Sequence, residues 1–220
     1  MLRRIFMQTA AAAAFAIVSG AAFAFTAGVD YVKLDAPLPG GEGKLVKIWS
    51  YDCRFCRAYD QRVDQQIAAA AQARAGLAFD QYHLEQRGKF GRAASELFAY
   101  CRIRDQKAGI TAADDPQSAF KKAKDAVYEA YHKQGERWPS GEEAFLKTGL
   151  DAAGISAEEF AAERKKDDVQ DLADSWLPAY EAAKIQGIPA YVVNGRYLIM
   201  TKSLRSIGGM TALIETLARL

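Results

Sequence analysis

Between residues 44 and 84 the hydrophobic pattern changes period twice, and this limits the folds open to the chain. Lys44-Leu45-Val46-Lys47-Ile48-Trp49 is rich in β-branched and aromatic side chains and reads as a strand. From Cys56 the pattern turns helical: Tyr59, Val63 and Ile67 recur every fourth position, an Ala-rich tract follows, and Gly76 stops the run. Leu77 to Leu84 returns to strand character. Strand, helix, strand is the unit that sets two strands parallel, because a parallel pair needs a crossover connection about a dozen residues long or more.

The flanking segments extend this unit. Tyr31-Val32-Lys33-Leu34 reads as an earlier strand, followed by a turn-rich connection through Pro37, Pro39, Gly40, Gly41 and Gly43. From about residue 85 to 184 the pattern is helical, over roughly 91–104, 116–133, 142–149, 157–165 and 168–184, with a kink expected at Pro178. Asp114 and Asp115 before Pro116, and Ser156 with Glu159 three positions on, are helix-start signals, since short polar side chains satisfy free amides there. Ala190 to Val193, Asn194-Gly195 and Arg196 to Ile199 spell a hairpin, and a final helix is expected from Ser203 to Leu220. This order predicts an α/β fold, a thioredoxin-like sheet interrupted by a helical insertion. The expected division is a signal at 1–24, the sheet domain at 25–84 and 185–220, and the inserted helical domain at 85–184.

The N-terminus predicts the compartment. Arg3 and Arg4 precede an apolar run from Thr9 to Val18, and Ala22-Phe23-Ala24 is a small-x-small cleavage signature. The two arginines partly match a twin-arginine signal, and either export route leaves the cytoplasm. That run is too short to cross a bilayer of ~30 Å, and no later stretch reaches ~20 apolar residues, so the expected product is exported and not membrane-embedded. The 29 basic residues face 27 acidic ones, and cleavage removes Arg3 and Arg4, leaving the signs balanced. This argues against nucleic acid or an anionic membrane as partner.

Tyr51-Asp52-Cys53-Arg54-Phe55-Cys56-Arg57 carries the chemistry. A zinc site needs about four ligands, and only Cys101, His83 and His132 accompany the pair, without suitable spacing, so no metal and no cofactor is expected. A structural staple gains little from closing so small a loop. The redox reading leads because Cys53 falls where a strand meets a helix. Free amides and the helix dipole there favour an anion, and the thiolate is the attacking species in disulfide exchange. Stabilising it relative to the disulfide makes the pair more oxidising. A reductase, an isomerase or a metal-binding chaperone on the same fold remain alternatives.

Ile48-Trp49-Ser50-Tyr51-Asp52-Cys53-Arg54-Phe55-Cys56, followed by a helical block and by Gly187-Ile188-Pro189-Ala190-Tyr191-Val192-Val193-Asn194-Gly195-Arg196-Tyr197, resembles the DsbA family of periplasmic thiol oxidases. Phe120-Lys121-Lys122-Ala123-Lys124, Glu136-Arg137-Trp138 and Thr148 to Gly154 extend the resemblance, which leans toward the DsbL branch and runs from about Phe25 to the C-terminus. It implies a monomeric dithiol oxidase in which Cys53 forms mixed disulfides with reduced secreted clients and Cys56 is the buried resolving cysteine. It also implies a cis peptide before Pro189, set against the cysteines, with Ile188 offering backbone groups to an incoming chain. The residues alone favour an ordinary trans bond there. Reoxidation by a DsbB/DsbI-type quinone-reducing membrane protein, and a narrow client range such as an arylsulfate sulfotransferase, follow from the same resemblance.

The chain departs from that family after the first cysteine, where Arg54 replaces the usual proline. A base at a helix N-terminus opposes the dipole by ~0.3–1 kcal/mol. For a Cys53 thiolate the signs reverse: Arg54 lowers its pKa and Asp52 raises it, each by roughly 0.6–2.5 kcal/mol at about 6–7 Å. The two oppose each other, leaving the helix terminus as the main activator, with Arg57 either adding to the lowering or lying solvated. Lys47 stands where many relatives carry a buried acid, and it reads either as a buried base favouring an anion or as a solvated edge residue. Lys47, Asp52, Arg54 and Phe55 thus form the expected redox-tuning set. His83 reads as a polar strand-end residue and His132 as a surface or groove residue, neither with a role. Cys101, near Leu97, Phe98 and Ile103, reads as a small buried hydrophobe, and Tyr100, Tyr128, Tyr131, Trp138 and Trp176 as packing.

Overall fold

The computed structural model describes residues 24–112, 115–204 and 206–220. Residues 1–23 of the expected signal, and Asp114 with its helix-start role, lie outside the described residues.

Among the described residues five strands form one sheet: β1 (Tyr31–Lys33), β2 (Lys44–Trp49), β3 (Ala78–His83), β4 (Ala190–Val193) and β5 (Tyr197–Ile199), in the order β1-β5-β4-β2-β3. The β2–β3 pair is parallel, with Lys44 opposite Ala78 and Trp49 opposite His83. Antiparallel β4 covers the other edge of β2, setting Ile48 beside Ala190 and Lys47 beside Tyr191. The hairpin joining β4 to β5 has both Asn194 (φ 51°) and Gly195 (φ 65°) in the left-handed region, which is why that dipeptide suits a tight turn. From Leu45 to Trp49 every β2 side chain is buried, as a central strand covered on both faces requires.

The crossover from β2 to β3 is two helices, α1 (Arg54–Arg62) and α2 (Asp64–Ala75), where the sequence pattern predicts one. The break falls at Val63 (φ −120°, ψ −48°), whose branched side chain is a weak helix former. The offset also changes the inward face: Cys56, Asp64, Ile67 and Ala71 are buried, whereas Tyr59 and Val63 are only half-buried. A carboxylate thereby enters the protein beneath the cysteine helix.

Between β3 and β4 lie α3 (Gly91–Lys107), α4 (Ala119–His132), α5 (Glu142–Ala153), α6 (Ala157–Glu163), α7 (Asp167–Ser175) and α8 (Ala179–Gln186). The helix expected from 116 begins at Ala119. Ser118 Oγ accepts from the Lys121 amide at 3.0 Å, and the Asp105 carboxylate of α3 accepts from the Ala119 and Phe120 amides at 2.6 and 3.1 Å. Ser156 caps α6 through the Glu159 amide at 3.0 Å. The run expected over 168–184 is interrupted between Ser175 and Ala179, because Pro178 cannot supply an amide to a continuing helix.

Two apolar clusters flank the sheet. On one side Leu45, Tyr191, Val193 and Ile199 pack against Ile67 and Ala71 of α2 and Met210, Leu213, Ile214 and Leu217 of α9 (Ile207–Ala218). On the other, Val46, Ile48 and Trp49 join the helical block through Phe98, Phe120 and Tyr128. No helix among the described residues is long and apolar enough to cross a membrane.

Candidate redox site

β2 ends at Trp49, and the next turn is closed by the Cys53 amide donating to the Ser50 carbonyl at 3.1 Å. Cys53 then caps α1 in extended geometry (φ −87°, ψ 105°), and a disulfide joins it to Cys56 across 5.2 Å between Cα atoms. The Cys56 amide, one of the free donors of the first turn, points at Cys53 Sγ from 3.0 Å. Cys53 is 6% exposed and Cys56 0%, so an incoming thiolate can reach only the first sulfur.

The segment between α8 and β4 faces that sulfur. The Ile188-Pro189 peptide is cis, and the Ile188 carbonyl oxygen lies 3.7 Å from Cys53 Sγ. Main-chain groups of this segment therefore border the accessible sulfur.

Beneath the pair sits a buried charge cluster. Lys47 is fully buried, so the solvated reading fails: its strand is central, and Nζ donates to Asp64, to the Cys56 carbonyl at 3.1 Å, and faces Asp60 at 3.6 Å. Tyr191 donates its hydroxyl to Asp64, while Lys124 of α4 donates to Asp60 and to Gln81. Burial pushes Lys47 down, against the pull of Asp64 and Asp60. For Asp60 burial acts upward, but Lys124 and Lys47 outweigh it and hold the carboxyl below its usual range. A cavity of about 190 Å³ lined by Asp60, Asp64, Gln81 and Lys124 opens beside the cluster. A roomier cleft of about 560 Å³ lies elsewhere, between Leu34, Leu38 and α8, and has no cysteine in its lining.

The charges bracketing Cys53 are not a simple opposed pair. Asp52 has its own cation, Arg87, at 3.6 Å, while its Oδ1 is buried without a hydrogen-bond partner among the described residues. Arg54 lies over the Phe55 ring at 4.8 Å, and Phe55 is 57% exposed beside the disulfide. Arg57 donates to Glu129 of α4 at 3.2 Å, so it is neither solvated nor free to act on the sulfur alone.

Both histidines grip Tyr51, His83 from the end of β3 and His132 from the last turn of α4, a structural contact that leaves neither as a ligand. His83 is buried, and its Nε2 accepts from the Tyr51 amide at 3.4 Å. Its Nδ1 then carries the proton toward Ser95 Oγ, 2.9 Å away. Burial pushes His83 down to about 3, so it stays neutral. His132 donates through Nε2 to the Tyr51 carbonyl at 2.9 Å, and burial lowers its pKa as well. The Tyr51 hydroxyl accepts from the Phe90 amide at 3.0 Å. Thus β3, α4 and the loop before α3 all fix the residue two before Cys53. Cys101 carries a free, fully buried thiol that burial pushes upward, as suits a packing residue. Tyr100, Tyr128, Trp138 and Trp176 are buried and Tyr131 half-buried.

Asp60 and Asp64 were missed as site residues. They follow Cys56 at four and eight positions, the spacing that stacks side chains along one helix face, so a signal was present. Arg87, Glu129 and Tyr191 carry no such signal, because long stretches of chain separate them from the cysteines.

A disulfide spanning the first turn of a helix, one sulfur reachable and the other sealed, on a sheet with parallel β2–β3, defines a thioredoxin-like thiol:disulfide oxidoreductase. Residues 46–207 match the family described as DSBA-like thioredoxin domain. The chain is 47% identical over 219 residues to thiol:disulfide interchange protein DsbL of Lelliottia amnigena, covering 99% of this chain and 97% of the relative. It is 48% identical over 203 residues to the DsbL protein of Escherichia coli O6:H1, covering 91% and 90%. The crystal structure of Salmonella enterica serovar Typhimurium DsbL superposes with a TM-score of 0.84 at 46% identity, covering 90% of this chain and 100% of that one. The chain belongs to the DSBA-like thioredoxin family.

Proposed function

We propose that this oxidoreductase works in the periplasm as a dithiol oxidase, giving its Cys53–Cys56 disulfide to reduced secreted proteins. The observation that carries the reading is the Cys56 amide aimed at Cys53 Sγ at the start of α1, which favours a Cys53 thiolate and hence the reduced state.

In this mechanism a client thiolate attacks Cys53 Sγ. A Cys53–client disulfide forms, the Cys53–Cys56 bond breaks, and its electron pair leaves on Cys56, which takes up a proton. A second client thiolate then attacks the client sulfur of the mixed disulfide and releases the Cys53 thiolate. The client loses two electrons and the pair gains them. Main-chain groups at Ile188, beside the cis Pro189, would hold the client strand, and Lys47 would favour the departing Cys56 anion. Phe55, Arg54 and Asp52 would set the rim a client meets. A DsbB/DsbI-type membrane protein would remove the two electrons to quinone, and the client range would be narrow, with an arylsulfate sulfotransferase as one client. The same reading divides the chain into a sheet domain at 25–84 and 185–220 and a helical insertion at 85–184, acting as a monomer.

The test is trapping. Cys56→Ala leaves Cys53 without its resolving partner, so mixed disulfides with clients should accumulate in periplasmic extracts and disappear in Cys53→Ala. Capture of no protein through Cys53 would overturn the reading.

A further inference from the structure

Arg57 sits one helical turn after Cys53, and its amide donates to the Cys53 carbonyl at 3.2 Å. Helical side chains lean toward the N-terminus, so a residue at i+4 covers the turn before it. An unrestrained Arg57 guanidinium would therefore lie over the Cys53 turn, where a thiolate forms.

In the fold its partner is Glu129 of α4, on a cleft whose lining holds Arg57 and Glu129 but neither cysteine. Arg57 Nη2 donates to Glu129 Oε2 at 3.2 Å, and Lys133 Nζ reaches the same oxygen at 3.0 Å. Arg57 keeps 17% of its side-chain exposure and Glu129 42%, so the contact lies at the mouth of the cleft of about 300 Å³ between α1 and α4. The same helix α4 holds the cysteine segment at two further points, Lys124 on Asp60 and His132 on the Tyr51 carbonyl. These contacts fix the backbone around Cys53, while the Arg57 guanidinium is held at this face through its side-chain pairing with Glu129.

We propose that Glu129 is a positioning residue: by holding Arg57 away from Cys53 it makes the Cys53–Cys56 pair less oxidising than the helix terminus and a free Arg57 would. The inference rests on the oxidase reading only in taking Cys53 as the sulfur that exchanges with clients and is released as the thiolate. The other charges facing Cys53 stay in place in the test: Asp52 with Arg87, Arg54 over Phe55, His132 on Tyr51, and Lys47 beneath the pair.

The experiment is a two-by-two cycle of Glu129→Gln and Arg57→Met. It is read by thiolate absorbance of the reduced protein against pH and by equilibration with glutathione, with circular dichroism as the folding check. Glu129→Gln should lower the Cys53 titration midpoint by about half a unit, and shift the glutathione equilibrium about threefold toward reduced protein. Arg57→Met should move both the opposite way, and in that background Glu129→Gln should retain less than half its effect. Glu129→Asp, charged but shorter, should fall between parent and Gln. If Arg57→Met does not fold, Arg57→Gln takes its place in the cycle. Equal shifts in both backgrounds would mean that Glu129 acts as a distant charge, and no shift or an upward one would mean that it does not hold Arg57 back; each result overturns the inference. The titration reads the thiol whether or not clients are oxidised, so failure here and failure of the oxidase reading are distinct.

Discussion

Replacing Lys47 by Met keeps the bulk of the side chain and removes one charge from a four-charge cluster. The ammonium is fully buried and donates to Asp64 and the Cys56 carbonyl, with Asp60 at 3.6 Å. In the variant Asp64 retains Tyr191 and Asp60 retains Lys124, leaving two carboxylates against one ammonium. Leaving a buried charge without its partner costs roughly 3–5 kcal/mol. For a domain of this size that is a fall in melting temperature of about 6–20 °C. A second effect concerns the cysteines. A unit charge about 6 Å from a sulfur at an effective dielectric constant near 20 is worth about 2–3 kcal/mol, and the neighbouring carboxylates reduce this to around 1 kcal/mol. The pair should become about fivefold less oxidising, because losing a cation destabilises the reduced thiolate. Calorimetry gives the first quantity and glutathione equilibration the second. Lys47→Met with Asp64→Asn should be more stable than Lys47→Met alone, since no lone carboxylate remains on Tyr191. A melting point within about 2 °C of the parent and an unchanged equilibrium would refute this reasoning.

Other outcomes follow from the same geometry. Arg54→Pro should be tolerated, because Cys53 already has the extended backbone that precedes proline and the first helical position needs no amide. Removing a base from the helix start and restricting the unfolded chain should add about 0.5–1.5 kcal/mol of stability in denaturant titrations, while the Cys53 thiolate pKa rises. His83 has a folded pKa of about 3 against an unfolded value near 6.5. Its native state therefore binds fewer protons, and its contribution is complete above about pH 7 and lost as pH falls from about 6.5 toward 3. His83→Gln should flatten the dependence of the urea midpoint on pH in that window, and an unchanged slope would contradict a buried neutral imidazole.

The redox pair was legible because its signal is local: a strand run, two cysteines and a helical run are contiguous between Lys44 and Ala75. The Asn194-Gly195 hairpin was legible for the same reason, as the turn chemistry resides in two adjacent residues. The break at Val63 was not, because the apolar spacing of Tyr59, Val63 and Ile67 favours one continuous helix, and only tertiary burial of Asp64 against Lys47 shifts the inward face. Lys47 itself was ambiguous for want of a partner nearby in sequence, since Asp64 is seventeen positions away. His83 and His132 gained their contacts with Tyr51 through folding, as Ser95, Phe90 and α4 close around that residue. Charges around Cys53 were the least legible element. Arg87 and Glu129, which pair with Asp52 and Arg57, arrive from a loop and a helix that the sequence does not link to the motif.

A Cys53–Cys56 disulfide held ready to be given away must have a high reduction potential. Equilibrating the protein with glutathione redox buffers and quantifying reduced pair should give a value toward the oxidising end of the thiol scale, near the about −120 mV of DsbA. A value near the about −270 mV of thioredoxin would mean that the pair holds its disulfide and that electrons run the other way.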